Sequence, residues 1–191
     1  MSSLPIQARP PLTPPPILID ATRQFTAWVK QNAQGAEVIL CGGLAFVQYG
    51  SGRVTQDADL CMDLSRTRRH GTQVPFDTNA LKDMASRDPR FIVGPKIFWI
   101  HQLSGTPVQV DFVDTRLFWQ PFDIRYMVDA NPAAHAVPSL NPPMLLVGKM
   151  KSALERAAME RKINDIADFD YALTLLQTSK QPPKLFATSQ T

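Results

Sequence analysis

The apolar positions of this chain change period several times, and each change marks an element. Leu18, Ala21, Phe25, Trp28 and Val29 recur at intervals of three and four, which predicts a helix over residues 18–32, stopped by Asn32 and Gly35. Residues 37–41 then carry the unbroken run Val38-Ile39-Leu40-Cys41, the pattern of a buried strand. Gly42-Gly43 predicts a turn, Leu44 to Val47 a short helix, and Gly50-Ser51-Gly52 a flexible loop before a second strand at 57–62. After a polar, basic linker at 66–71, Asp77 is the expected N-cap of a helix reaching Ser86. Strands are expected at 90–93, 96–101 and 108–113, and the turn signals Gly94-Pro95 and Ser104-Gly105 join them as an antiparallel meander. Residues 117–128 are aromatic without a clear period and receive no assignment, and 131–143, with four prolines, is expected to be a connecting loop. Asn141 is the expected cap of a helix with Pro142 in its first turn, running to 159, and a last helix is expected over 161–177.

This order predicts one α/β (α+β) domain: a small, mixed, twisted sheet flanked by helices and followed by a helical pair. The expected divisions are a proline-rich leader at 1–16, the α/β core at 17–130, the C-terminal helical pair of the same domain at 131–177, and a tail at 178–191. A length of 191 residues suits a single domain, and a hydrophobic content of 44% excludes the disordered classes. The net charge of +3 tolerates a phosphate-bearing ligand without demanding nucleic acid. Cys41 and Cys61, the two cysteines, fall in strand segments without paired spacing and read as buried, reduced thiols of a cytoplasmic protein. No run of about 18 apolar residues marks a membrane span, and the amino terminus lacks the apolar stretch of a signal peptide.

Candidate chemistry concentrates in Thr55-Gln56-Asp57-Ala58-Asp59-Leu60. On a strand, Asp57 and Asp59 project from one face while Ala58 and Leu60 face the other way. Two carboxylates on one face repel unless a cation sits between them, and a divalent metal with oxygen preference is the usual cation. In Val108-Gln109-Val110-Asp111-Phe112-Val113, Asp111 and Gln109 share a face opposite Val108, Val110 and Phe112. If that strand lies beside the first, Asp57, Asp59 and Asp111 converge near Gly42 and Gly43. Such a set holds magnesium, with manganese as the alternative, and equips a site for phosphoryl or nucleotidyl transfer. The glycines let backbone amides approach phosphates, and Arg53, close in sequence, is a further phosphate contact to weigh against an ordinary exposed loop arginine.

Gly42-Gly43-Leu44-Ala45, then Arg53-Val54-Thr55-Gln56-Asp57-Ala58-Asp59-Leu60, then Val110-Asp111-Phe112, resembles the DNA-polymerase-β-type nucleotidyltransferase superfamily. The carboxyl-terminal part resembles its abortive-infection toxin (AbiEii-like) branch: Lys149, Ala153, Leu154 and Arg156 match a lysine-bearing helix, and Asp165-Ile166-Ala167-Asp168-Phe169 a helix with two acids three residues apart. The resemblance covers a little under half the chain. It implies the nucleotidyltransferase fold and transfer of a nucleoside monophosphate from a nucleoside triphosphate such as ATP to a hydroxyl. It further implies Asp57, Asp59 and Asp111 as catalytic metal ligands, and Gly42, Gly43, Arg53, Thr55, Lys149 and Asp165 as nucleotide-binding residues. The acceptor stays open among RNA, protein and small molecules, no membrane is implied, and the toxin branch implies an antitoxin-like partner. Two departures stand out: Gly43 replaces the serine common in the superfamily, and Asn164 stands where a basic residue often precedes Asp165. Asp63, of the same strand parity, is a fourth nearby acid.

Plainer readings compete. Lys149 could be an exposed helix residue beside Lys151, and Asp165 and Asp168 could pair with Arg161 and Lys162. His70, His101 and His135 suggest no zinc site, and Ser65, Ser104 and the cysteines show no nucleophile-and-base arrangement. A second class of function is a catalytically inactive module of the same fold for nucleotide sensing or for protein or RNA interaction. A third, RNA binding, rests on the basic balance and on Arg66, Arg68 and Arg69.

Overall fold

The computed structural model describes residues 12–67, 76–117, 123–129 and 135–178. Five strands form one mixed sheet in the order β1-β2-β5-β4-β3, with β1 Glu37–Cys41, β2 Asp57–Asp63, β3 Phe91–Val93, β4 Ile97–Ile100 and β5 Pro107–Asp114. β1 runs antiparallel to β2, β2 parallel to β5, and β5, β4 and β3 make the expected antiparallel meander. The register sets Asp59 opposite Asp111 across the parallel pair and opposite Cys41 across the antiparallel one.

One face of the sheet is covered by α1 (Pro15–Asn32), whose buried residues Leu18, Ala21, Phe25, Trp28 and Val29 are the predicted apolar positions. Phe25 lies within about 6 Å of the rings of Trp99, Phe91 and Phe112, so one aromatic side chain ties the helix to three strands. Ala58, Leu60, Val108 and Val110 face this core, 0 to 1% exposed. Their strand neighbours, Asp57, Asp59 and Asp111, therefore belong to the other face. The short α2 (Gly42–Gln48) leaves β1 directly, and the hairpin of α5 (Pro142–Glu155) and α6 (Met159–Thr178) packs against it, with Phe46 and Tyr171 in edge-to-face contact at 6.2 Å. Asp77 caps α3 (Thr78–Ala85) and Asn141 caps α5, each accepting from a backbone amide three residues on, as expected.

Several boundaries differ from the expectations. Pro15 and Pro16 open α1 instead of ending the leader, because a first-turn proline forfeits no intrahelical hydrogen bond; residues 1–11 of that leader lie outside the described residues. Gly42 and Gly43 are the first two residues of α2, not a turn before it. α5 stops at Glu155 rather than 159, where Arg156 takes extended backbone angles (φ −73°, ψ 128°). α6 starts at Met159 rather than 161. The unassigned 117–128 stretch contributes the end of a 3-10 turn (Thr115–Leu117) and the one-turn α4 (Ile124–Met127). The expected loop over 131–143 bridges to β1 through Leu40 and Ser139 and to Val128 through Leu140, two-residue pairings too short to show a period. Thr178 closes α6, and residues 179–191 of the expected tail lie outside the described residues.

Candidate active site

The two parallel strands do the main positioning. Asp57 and Asp59 leave β2 on one face, Asp111 leaves β5 on the same face, and one oxygen of each lies within 4.8 Å of the others. Asp111 is exposed, and Asp57 and Asp59 are half-buried. Burial, followed by the charge of Asp57, pushes the Asp59 carboxyl up to about 6, with Asp111 adding to the push and Lys149 and Arg156 opposing it. Two of the acids are held by a neighbour of modest size. Thr55 Oγ1 donates to Asp57 Oδ1 at 3.1 Å, and Gln109 Nε2 donates to Asp111 Oδ2 at 2.6 Å while its own oxygen accepts from Lys96 Nζ at 2.7 Å.

The glycine pair is fixed by what surrounds it. Gly42 has φ +63°, and a Cβ there would overlap the Asp59 carboxylate, 2.6 Å from Cγ. A Cβ on Gly43 would lie 2.7 Å from Arg53 Nε and 3.0 Å from Thr55 Oγ1. Both glycines thus permit side-chain approaches that any larger residue would block, a sharper reason than the turn expected from sequence.

A second charge cluster adjoins the triad. Lys149 Nζ lies 2.9 Å from Asp165 Oδ1 and 2.7 Å from Asp168 Oδ2, and all three side chains are under 10% exposed. Arg156 Nη1 stands 3.2 Å from Asp165 Oδ2, within ion-pair range though outside hydrogen-bond geometry. Arg53 pairs with Asp168. Asp165 and Asp168 therefore meet Lys149, Arg156 and Arg53 rather than the expected Arg161 and Lys162, and Lys149 is a buried ion-pair partner, not an exposed helix residue. Counting both clusters, five carboxylates face three cations. That excess of two negative charges, together with the lifted Asp59 carboxyl, fits a divalent cation bound by Asp57, Asp59 and Asp111.

Gln109 and Asp168, both named from the sequence, take partners that no strand or helix pattern announces. Gln109 was placed on the right face, but its bond to Asp111 has no sequence signature. Asp168 meets Arg53 across 115 residues of chain. One reading is corrected: Ser104 Oγ lies 2.7 Å from His101 Nδ1, whose Nε2 is 2.9 Å from Asp20 Oδ2, so a serine–histidine–aspartate chain exists. It clips the β4–β5 turn: the Ser104 amide points to His101 Nδ1 and the Thr106 amide to Ser104 Oγ, leaving neither for an oxyanion. Beside Asp59, the free cysteine Cys41 pairs across the strands, and the neighbouring Cys61 together with burial holds its thiol well above the ordinary value. Among the described residues no helix is long and apolar enough to cross a membrane.

A five-stranded mixed sheet with a carboxylate triad on two parallel strands and a helical pair against α2 defines the class of fold, a mixed α/β one. A solved structure supports that class: the chain is similar to an antigenic nucleotidyltransferase-like protein from Paracoccidioides brasiliensis, with a TM-score of 0.65 over 95% of this chain and 85% of that one. The identity is 16%, so the likeness is one of fold. No family model matches the chain, and no curated protein matches it.

Proposed function

We propose that the protein is a magnesium-dependent nucleotidyltransferase that moves a nucleoside monophosphate from a nucleoside triphosphate, such as ATP, to a hydroxyl acceptor. The observation that carries this reading is the convergence of Asp57, Asp59 and Asp111 beside Gly42 and Gly43, in a fold shared with a nucleotidyltransferase-like protein. Magnesium or manganese held by the three carboxylates would neutralise phosphate charge and make the acceptor hydroxyl more acidic. Asp57 and Asp59 face each other's charge and supply the ligand oxygens. Asp111, exposed and aligned by Gln109, is placed to take up the acceptor's proton. Gly42 and Gly43, whose missing side chains admit the Asp59 carboxylate and Arg53 with Thr55, would offer backbone amides to phosphate oxygens, Thr55 orients Asp57, and Arg53 adds positive charge beside Gly43. Lys149 donates to Asp165, which fixes it in place, and is ion-paired with Asp168, so its ammonium keeps hydrogens for the triphosphate. The toxin-like branch, with an RNA, protein or small-molecule acceptor and an antitoxin-like partner, is the finer form of the same proposal.

The test is incubation with labelled nucleoside triphosphates and acceptors of the three classes, with and without magnesium. Magnesium-dependent label transfer that disappears in Asp59→Asn is the expected result. Absence of both transfer and triphosphate binding, or binding indifferent to Asp59→Asn, sinks the proposal. Triphosphate binding without transfer to any acceptor class would favour the inactive sensing module, a reading encouraged by the ion pairs that already engage Lys149 and Arg156.

A further inference from the structure

The Arg53 guanidinium is fixed at one end and unpartnered at the other. Its Nη1 pairs with Asp168 and lies 3.5 Å from the Asn164 carbonyl oxygen. Its Nε is buried and has no hydrogen-bond partner among the described residues. Leaving a buried donor unsatisfied is costly, so such a group calls for a reason. Position supplies one. The guanidinium occupies the space that a side chain at position 43 would need, with Nε 2.7 Å and Cζ 3.2 Å from an ideal Cβ there. Thr55 shares that space and ties it to the triad through Asp57.

Asp168 holds this arrangement together. It is 3% exposed, accepts from Arg53, in the loop before β2, and is ion-paired with Lys149 on α5. One buried anion from α6 thus draws two cations from separate elements to one place. Without it the two cations would repel, and only the long contact to the Asn164 carbonyl would restrain the arginine.

We propose that Asp168 is a positioning residue of the nucleotide site: it holds Arg53 over Gly43 so that its partly exposed guanidinium donates to an anionic oxygen of the triphosphate. This rests on the nucleotidyl-transfer reading and adds to it a specific donor, its anchor, and a reason for the missing side chain at position 43.

Three substitutions test it. Gly43→Ala sets a methyl group against Nε without changing charge. Arg53→Lys keeps the charge and a partner for Asp168 but lacks the forked donors of the guanidinium. Asp168→Asn releases the arginine. Titration calorimetry with manganese compares binding of a non-hydrolysable nucleoside triphosphate analogue and of the nucleoside monophosphate. Manganese affinity and melting temperature are recorded alongside.

In wild type the analogue binds. Each substitution is expected to weaken it by about tenfold or more, the usual worth of a charge-assisted hydrogen bond. Monophosphate binding changes less, and Gly43→Ala and Arg53→Lys keep wild-type manganese affinity and melting temperature. The double variant Arg53→Lys with Asp168→Asn loses no more than Arg53→Lys alone, a non-additivity that a merely structural aspartate would not produce. Full triphosphate affinity in Gly43→Ala and Arg53→Lys overturns the inference even if Asp168→Asn fails to fold. A wild-type protein that binds no triphosphate overturns the transfer reading itself, and this inference with it.

Discussion

An alanine at position 42 would meet two obstacles at once. A side chain at φ +63° costs about 1–2 kcal/mol in the left-handed region, and its Cβ would collide with the Asp59 carboxylate. Gly42→Ala should therefore lower the melting temperature and also abolish manganese binding at temperatures where the variant is still folded; unchanged metal affinity would refute the second effect. Asp59 sets a pH window. Because its folded carboxyl is raised to about 6 from 3.8, the folded chain holds the proton more tightly. Metal-free stability should then fall as pH rises from about 4 to about 6 and level off above, as linkage requires. Metal affinity should show the opposite trend, rising by up to about tenfold per pH unit below 6, since metal and proton compete for the carboxylate. A pH series of metal titrations checks it, and an affinity independent of pH between 5 and 6 would contradict the assignment. Asp57 and Asp59 were legible in the sequence because strand parity puts them on one face, and Asp111 because it stands opposite Val108, Val110 and Phe112 on its own strand; the pairing of β2 with β5 joins them. The bonds from Gln109 to Asp111 and from Asp168 to Arg53 were not: the first depends on side-chain rotamers within one strand, the second on a contact across 115 residues with no local pattern.

At the scale of elements, the α5–α6 hairpin is stitched by charge as well as by apolar contact. Lys149→Met would leave Asp165 and Asp168 buried with one cation fewer, a change that typically costs about 3–5 kcal/mol. Arg156→Ala, at a side chain 42% exposed, should cost far less, about 1 kcal/mol or under. Denaturant titration of both variants checks the ranking, and equal losses would contradict it. Apolar period placed the strands and long helices within a few residues, and the caps Asp77 and Asn141 were readable from residue type alone. The end of α5 was not, because Ala157, Ala158 and Met159 continue as good helix formers. What interrupts the helix is the extended backbone at Arg156, whose guanidinium reaches Asp165, a tertiary contact.

For the whole molecule, a formal charge of +3 conceals a local excess of two negative charges at the site. A cation that binds only the folded chain stabilises it by about 2.7 kcal/mol at one hundred times its dissociation constant. For a chain of this length that corresponds to a rise of about 5–10 °C in melting temperature. Magnesium or manganese should produce such a rise, a chelator should reverse it, and Asp59→Asn should remove it; an equal rise in the variant would place the ion elsewhere.

The parallel pairing of β2 with β5 also has a consequence in time. Once residue 111 has left the ribosome, every acid of the triad has been made, but Lys149 follows 38 residues later. At the usual pace of synthesis that interval is about 2–8 seconds. Through it the nascent chain carries three mutually repelling carboxylates and no Lys149 to temper them. The last helices arrive as a charge-neutral unit, Lys149 and Arg156 coming with Asp165 and Asp168, so the local excess of two negative charges is set early and only its cationic neighbours come late, when α5 and α6 have folded back onto the sheet.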